Sequence, residues 1–434
     1  MVGAASAAQA QAPSAAAQPA RITLEEAIRR AQANEPSYAA ALAQSRIAGL
    51  DRSIARAGLL PSVDFHNQYL YTQPNGLLNQ AGQGAAAQQA PKFIANNAVR
   101  EYASQGVVNE TVGLAQVAEV RSADAAAAVA AAELEVARRG LVAAVSGLYY
   151  GAIAADHRVT ITEAAHGEAA DFLSLTSKRE QHRESAHADV MKAQLQEQQR
   201  SRELSDAKVM AEKARLELGV LLFPDPRTPY TLAGEEKQGE LLSRAEVEQA
   251  AGKNNPELRS ALASLSQSNA EVLAARAALI PSIGLNYTYG IDAPQFAVNG
   301  PDGVRNLGYS ASVTLDIPVW DWLSTEHKVK QSEIRRDAVR VALSAAQRRL
   351  IAQLDEAYSE AVAARDQLDS LDASVQTAAE SLRLTKLRYI GGEATVLEVV
   401  DAQSAYLGAA NAREDGRIRY QAALAGLQTL TGTM

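Results

Sequence analysis

The chain has 434 residues, of which 5% are aromatic and 21% charged, with a formal net charge of −8 and no cysteine. That length could hold two or three globular domains, but an alanine-rich, aromatic-poor mix belongs to long, closely packed helices rather than to a thick aromatic core. Disulfides, thiolate metal sites and a cysteine nucleophile are excluded; no basic block marks a nucleic-acid partner, and no run of about 18 apolar residues marks a transmembrane helix.

Residues 1–21 read as a flexible Ala/Gln/Pro tail. Their first 20 residues carry neither a basic residue nor the apolar core of an intact signal peptide, so they read as the remnant of a processed or engineered N-terminus. Sliding the chain against itself then reveals a duplication. At an offset of 220, residues 31–62 match residues 251–282 at 12 of 32 positions, including Asn34/Asn254, Pro36/Pro256, Ala55-Arg56-Ala57 with Ala275-Arg276-Ala277, and Pro61-Ser62 with Pro281-Ser282. Further along the offset becomes 209, pairing Tyr149 with Tyr358 and Ala193-Gln194 with Ala402-Gln403. Residues 22–222 and 243–432 are thus two copies of one structural unit. Between them, 223–242 is a linker opened by the rigid turn Phe223-Pro224-Asp225-Pro226.

Each copy starts with a helix capped near Thr23 or Ser243. Pro36 and Pro256 break that helix and open the next one, which ends before Pro61 and Pro281. The period then changes to two. Ile283, Leu285, Tyr287, Tyr289 and Ile291 alternate with small or polar residues, as do Leu307, Tyr309, Ala311, Val313, Leu315 and Ile317. These predict strands over about 283–291 and 307–317; the first copy has them over about 63–73 and 98–109. Strands of about 10 residues fit a tilted membrane span or half-buried hairpins packed on helices equally well. If they do span a membrane, four strands cannot close a barrel alone, so several protomers must contribute.

After the second hairpin, Trp322 to Tyr389 reads as one helix. Leu350, Leu354, Ala357, Ala361, Ala364, Leu368, Leu371, Val375, Ala378, Leu382, Thr385 and Tyr389 step by four and three, which is a coiled-coil seam. A helix of this length would run on the order of 100 Å. It breaks at Gly391-Gly392, and another helix begins near Thr395 with Glu398 and Asp401 on one face.

Two copies of helix, Pro-Ser, hairpin and helix pair, with ARAALIPSIGLNYTYG at 275–290 and RYIGGEATVLEVVDAQSAYLGAA at 388–410, resemble the TolC family of outer-membrane efflux channels from about residue 22 to 432. The resemblance implies a mainly α fold with a membrane β-barrel. The protomer would be one third of a homotrimer, giving four strands to a 12-stranded barrel and long helices to a trimeric α-barrel, the periplasmic tunnel. It implies an outer-membrane location, contact with outer-membrane lipid, and partnership with a periplasmic adaptor and an inner-membrane pump or ABC exporter. No cofactor, metal or catalytic residue is implied.

Carried over by position, the resemblance assigns Tyr389, Gly392, Glu398 and Asp401 to the periplasmic gate, the two acids forming threefold rings. Two solvated acids at a helix N-terminus are the plainer reading of the residues alone. Arg183, Asp189, Gly391 and Ala394 fall at the adaptor-contacting tips. Arg183 stands where the family has a glycine, Lys192 lies opposite Asp401, and Ala394 replaces an arginine that ties the tip shut in some members. Tyr69, Tyr71, Tyr287, Tyr289, Tyr309, Trp320 and Trp322 suit membrane-interface aromatics. His182 and His187 share the first tip, but their spacing matches no metal signature. Phosphate-loop, zinc-protease and nucleophile-elbow motifs are lacking, which leaves no enzyme reading. The alternative is a soluble periplasmic coiled-coil scaffold or adaptor.

Overall fold

A computed structural model describes residues 20–71, 100–233, 240–300 and 303–432. The element order runs twice through one series. It begins with β1 (Ala20–Ile22), α1 (Leu24–Asn34), α2 (Pro36–Ala57), β2 (Ser62–Tyr71), β3 (Arg100–Val112), α3 (Leu114–Gln181) and α4 (His187–Leu222). It continues with β4 (Tyr230–Leu232), α5 (Arg244–Asn254), α6 (Pro256–Ala277), β5 (Ser282–Ala293), β6 (Leu307–Asp316), α7 (Ser324–Ile390) and α8 (Val396–Thr431). The strands depart from the sequence-based bounds by at most three residues at their described ends, and residues 72–73 and 98–99 lie outside the described residues. Trp322 precedes α7 instead of starting it, because Trp322 and Leu323 take left-handed backbone (φ 58° and 65°) in the turn that launches the helix.

The residues form two compact units. One comprises 1–43, 132–259 and 345–434 and contains two matched cores. In the first, Ala27 and Ala31 of α1 pack with Leu141, Val145, Tyr149 and Ala152 of α3 and with Leu218 of α4. In the second, Val247 and Ala251 of α5 pack with Leu350, Leu354 and Ala361 of α7 and with Leu427 of α8. These positions correspond through the offsets of 220 and 209. Along α7 every residue of the predicted seam is buried or half-buried, as the four-three periodicity requires.

Among the described residues, the end of the tail and part of the linker are more ordered than the sequence suggests. Ala20–Ile22 and Tyr230–Leu232 form a two-stranded parallel sheet, beneath which the buried Tyr149 hydroxyl lies 2.8 Å from the Ala233 carbonyl and 3.2 Å from that of Ile22. Three-residue strands are too short to show an alternating pattern. The remaining tail, and residues 234–239 of the linker, lie outside the described residues.

The other unit, 44–131 and 260–344, holds an antiparallel sheet in the order β2-β3-β5-β6. Register sorts its side chains by face. Tyr69 pairs with Tyr102, Phe65 with Gly106, Tyr289 with Tyr309 and Leu285 with Val313, so the aromatics and aliphatics share one face. Gln68, His66, Asn286, Thr288, Ser310 and Ser312 share the other. The apolar face is not packed on helices: Phe65, Tyr309 and Val313 are 72%, 74% and 74% exposed. The β3–β5 pairing joins the two copies, and Gly290 lets the strands approach there. A Cβ on Gly290 would lie 2.2 Å from the Ser104 carbonyl oxygen and 2.5 Å from the Gln105 Cα.

Replacing Gly290 by alanine should therefore force backbone apart and cost at least about 1–3 kcal/mol. The expected outcome is a large fall in the yield of folded protein recovered from membranes. Gly308→Ala, with nothing within 4 Å of the added carbon, should leave that yield unchanged.

Candidate functional site: the two helical tips

The α3–α4 and α7–α8 turns are built alike from different residues. In the second, Gly391 N–H donates to Leu387, Gly392 to Tyr389 and Glu393 to Arg388. In the first, His182, Arg183 and Glu184 donate to Lys178, Glu180 and Arg179. Each is a helix C-cap whose residue at the bend turns left-handed. Gly392 does so at φ 79° without steric cost, whereas Arg183 is held at φ 62°. The substitution therefore keeps the turn and adds an exposed cation to it.

The following helix starts differ more. Thr395 caps α8 in a reciprocal capping box: its hydroxyl accepts from Glu398 N–H at 3.3 Å, and the Glu398 carboxylate accepts from Thr395 N–H at 3.1 Å. Arg388 adds an ion pair to Glu398 at 3.4 Å. Hydrogen bonds from the Thr395 backbone and hydroxyl, then the Arg388 charge, hold the Glu398 carboxyl below the ordinary glutamate value. The α4 cap, Ala186, has no side chain able to accept. Near it Asp189 lies 3.9 Å from Lys192 and 3.5 Å from the Ser185 hydroxyl, and His187 Nδ1 lies 2.7 Å from Glu180. Among the described residues no group of three or more His, Asp or Glu is arranged to hold a metal ion.

The two turns meet around Tyr389. Its ring is buried edge-on to Phe172 at 5.1 Å, and its hydroxyl is 3.3 Å from the Thr176 hydroxyl. Val396 and Val399 close the same cluster with Ala193 of α4, and Ala394 packs at its margin. Arg179, from the last turn of α3, lies 4.9 Å over the Tyr389 ring and donates to the Tyr389 carbonyl. Its Nε is 3.6 Å from Glu184. Nearby Lys386 pairs with Glu168, and Arg200 donates to Ser404 at 2.8 Å.

A polar recess of about 650 Å³ lies elsewhere in this unit. Within it His157 Nδ1 lies 3.0 Å from Glu414, and Arg413 pairs with Asp372 at 2.6 Å.

The sequence model of the family described as outer membrane efflux protein matches residues 247–433. The chain is 26% identical over 309 residues to protein CyaE of Bordetella pertussis, a match covering 68% of this chain and 62% of CyaE. It is 30% identical over 166 residues to outer membrane protein TolC of Vibrio cholerae, covering 38% of this chain and 36% of that protein. The fold superposes on the Campylobacter jejuni CmeC outer membrane channel with a TM-score of 0.76 at 17% identity, over 94% of this chain and 85% of that one. Residues 247–433 thus match the outer membrane efflux protein family, and nearly the whole chain has the fold of a solved outer membrane channel.

The positions expected from the resemblance can now be located in the fold. Gly391 and Gly392 form the exposed bend of the second tip. Asp401 is exposed on α8, free of the capping box that engages Glu398. The two acids that sequence spacing joins are therefore unequal. Tyr389, expected at the gate, is only 5% exposed and faces inward between the two hairpins of its own protomer. The residue that sequence reading missed is Arg179. Arg179 reaches the second tip from the other hairpin, near Ala394, where the resemblance expects the arginine of some members. Its signal in the sequence was slight, one of two basic residues in the last turn of a long helix.

Arg179→Ala should remove a cation–π contact and a charged hydrogen bond, about 2 kcal/mol together. Hydrogen exchange at residues 387–393 is expected to quicken roughly thirty-fold, with little change at the Tyr149 end of the unit. The pH dependence follows from Glu398. Because its folded-state carboxyl is depressed, it contributes stability in full above the ordinary carboxylate value, and this is lost as pH falls through the depressed one. Exchange protection at 395–398 should decline over that acid window. Thr395→Ala should remove most of the step, leaving the part that Arg388 contributes.

Proposed function

We propose that the chain is one third of a homotrimeric outer-membrane duct, a passive exit path across periplasm and outer membrane in a tripartite efflux or type I secretion system. The observation that carries this is the sheet. It has an apolar, aromatic-rich face open to its surroundings, a polar face, and outer strands β2 and β6 with no strand beyond them among the described residues. In lipid an open edge is not tolerated, so β6 of one protomer must pair with β2 of the next. Three copies of four strands then give a 12-stranded barrel with its polar face to the lumen.

Tyr69, Tyr71, Tyr287, Tyr289 and Tyr309 would lie on the lipid side of that barrel. Trp320 and Trp322, 67% and 83% exposed with rings 5.8 Å apart, would anchor the strand–helix corner at the membrane interface. The soluble scaffold reading needs hairpins packed on helices, and the exposed apolar face argues against it. No catalytic step is assigned to any residue.

The tips would form the periplasmic mouth and dock a periplasmic adaptor, itself coupled to an inner-membrane pump or ABC exporter. Arg183, Asp189, Gly391 and Ala394 would face that partner unequally, since only the first tip presents an added cation. In the trimer Asp401 would form a threefold carboxylate ring, with Glu398 beside it partly neutralised by Arg388.

Single-channel conductance tests this. Asp401→Asn should weaken cation preference and Glu398→Gln should do so less, because Glu398 is already paired. Unchanged selectivity in the Asp401→Asn/Glu398→Gln double variant would remove the acids from the mouth. Extraction without detergent would remove the duct itself.

A further inference from the structure

A buried arginine joins the two repeats. Arg139 of α3 is 5% exposed, and its guanidinium reaches the last carbonyls of two helices of the other repeat. Nη1 donates to Asn254 of α5 at 3.1 Å and to Thr429 of α8 at 3.4 Å, while Nη2 lies 3.5 Å from the Gly432 carbonyl. Nε is fixed by Glu135 at 2.6 Å. The last four carbonyls of a helix have no partner within it, and the negative end of the helix dipole favours a cation. One side chain thus caps two helices at once. The same face of α3 buries Val142 and Ser146, which are 3% and 1% exposed.

The arginine of this joint and the apolar residue beside it have counterparts that are left open. At the offset of 209, Arg139, Val142 and Ser146 correspond to Arg348, Ile351 and Asp355 of α7. Their neighbours Leu141 and Leu350 occupy equivalent places in the two cores, so the register is structural as well as sequential. Arg348 is exposed and has no hydrogen bond or ion pair among the described residues, and Ile351 is 62% exposed. Asp355 is exposed and paired with Arg244 at 2.5 Å.

On the receiving side, Asn254 corresponds to Asn34 at the end of α1 and Thr429 to Val220 at the end of α4, where Val220 is 60% exposed. The ends of α1 and α4 are already held together as their counterparts are. Asn34 Nδ2 donates to the Leu222 carbonyl at 2.9 Å, as Asn255 Nδ2 does to Leu430 at 3.2 Å.

We propose that Arg348 of one copy caps α1 and α4 of a neighbouring copy through the carbonyls of Asn34 and Val220, with Ile351 covered in the same contact. This rests on the homotrimer reading and deepens it. A contact between unlike surfaces, used once inside the chain and left open once, propagates from copy to copy and can close a ring. Three copies would then have six such joints, alternately formed by Arg139 within a chain and Arg348 between chains.

The second kind differs in one respect. Gly432, left-handed at φ 72°, leaves room for Arg139, since a Cβ there would sit 2.4 Å from Nη1. Its counterpart Phe223 has extended backbone, and its ring packs against Tyr230 and Arg30. The Arg348 fork therefore has two acceptors where Arg139 has three.

The cysteine-free chain allows a clean test. Full-length protein carrying Arg348→Cys and Val220→Cys is treated in membranes with a flexible bis-maleimide, because the reach of an arginine exceeds what a disulfide can bridge. Covalent dimers and trimers on a denaturing gel are expected from the pair, with none from either single variant and fewer from Arg349→Cys with Val220→Cys. An assembled trimer on a native gel that yields no covalent ladder would overturn this joint while leaving the duct reading intact. An unmodified chain that does not assemble would overturn both. In addition, Arg348→Ala should lower the temperature at which the trimer dissociates by several degrees, Arg348→Lys by less, and Arg349→Ala not at all. Equal dissociation temperatures would remove the capping role.

Discussion

A four-stranded antiparallel sheet with one apolar face and two open edges cannot be at rest alone. Its backbone groups at β2 and β6 need partners and its apolar face needs lipid or protein. Under the proposed assembly those edges pair with other copies, and the long helices, whose buried seams are lined with alanine and leucine, would support it. The single close approach at Gly290 matters because it binds the hairpin of one repeat to that of the other.

Duplication supplies the same parts twice and burial distinguishes them. The two helical cores correspond residue by residue, yet Val142 is buried where Ile351 is exposed, and Arg139 is engaged where Arg348 is not. Equal residues in unequal surroundings record which contacts a protomer completes for itself. The two copies differ at the tips. One has a capping box, a glycine bend and a paired glutamate; the other has an uncapped alanine, a left-handed arginine and a histidine–glutamate pair. Arg179 ties the two hairpins of a protomer to one another, a role played from α3 and not from the position of Ala394.

Local order was legible in the sequence. Thr23 and Ser243 cap helices, Pro36 and Pro256 restart them, and the α7 seam is buried along its length, because caps, prolines and heptads act through neighbours a few residues away. The strands were legible for the same reason, their alternation being fixed by the pleat. What only the tertiary structure decided were contacts between residues more than a hundred positions apart: Arg179 on Tyr389, Arg139 on two helix ends, the inward burial of Tyr389, and the pairing of Ala20–Ile22 with Tyr230–Leu232. No periodicity encodes these. An arginine on a helix reads as a solvated charge until the fold brings orphan carbonyls or an aromatic face within its reach, and two acids three residues apart read as equals until a threonine and an arginine engage only one of them.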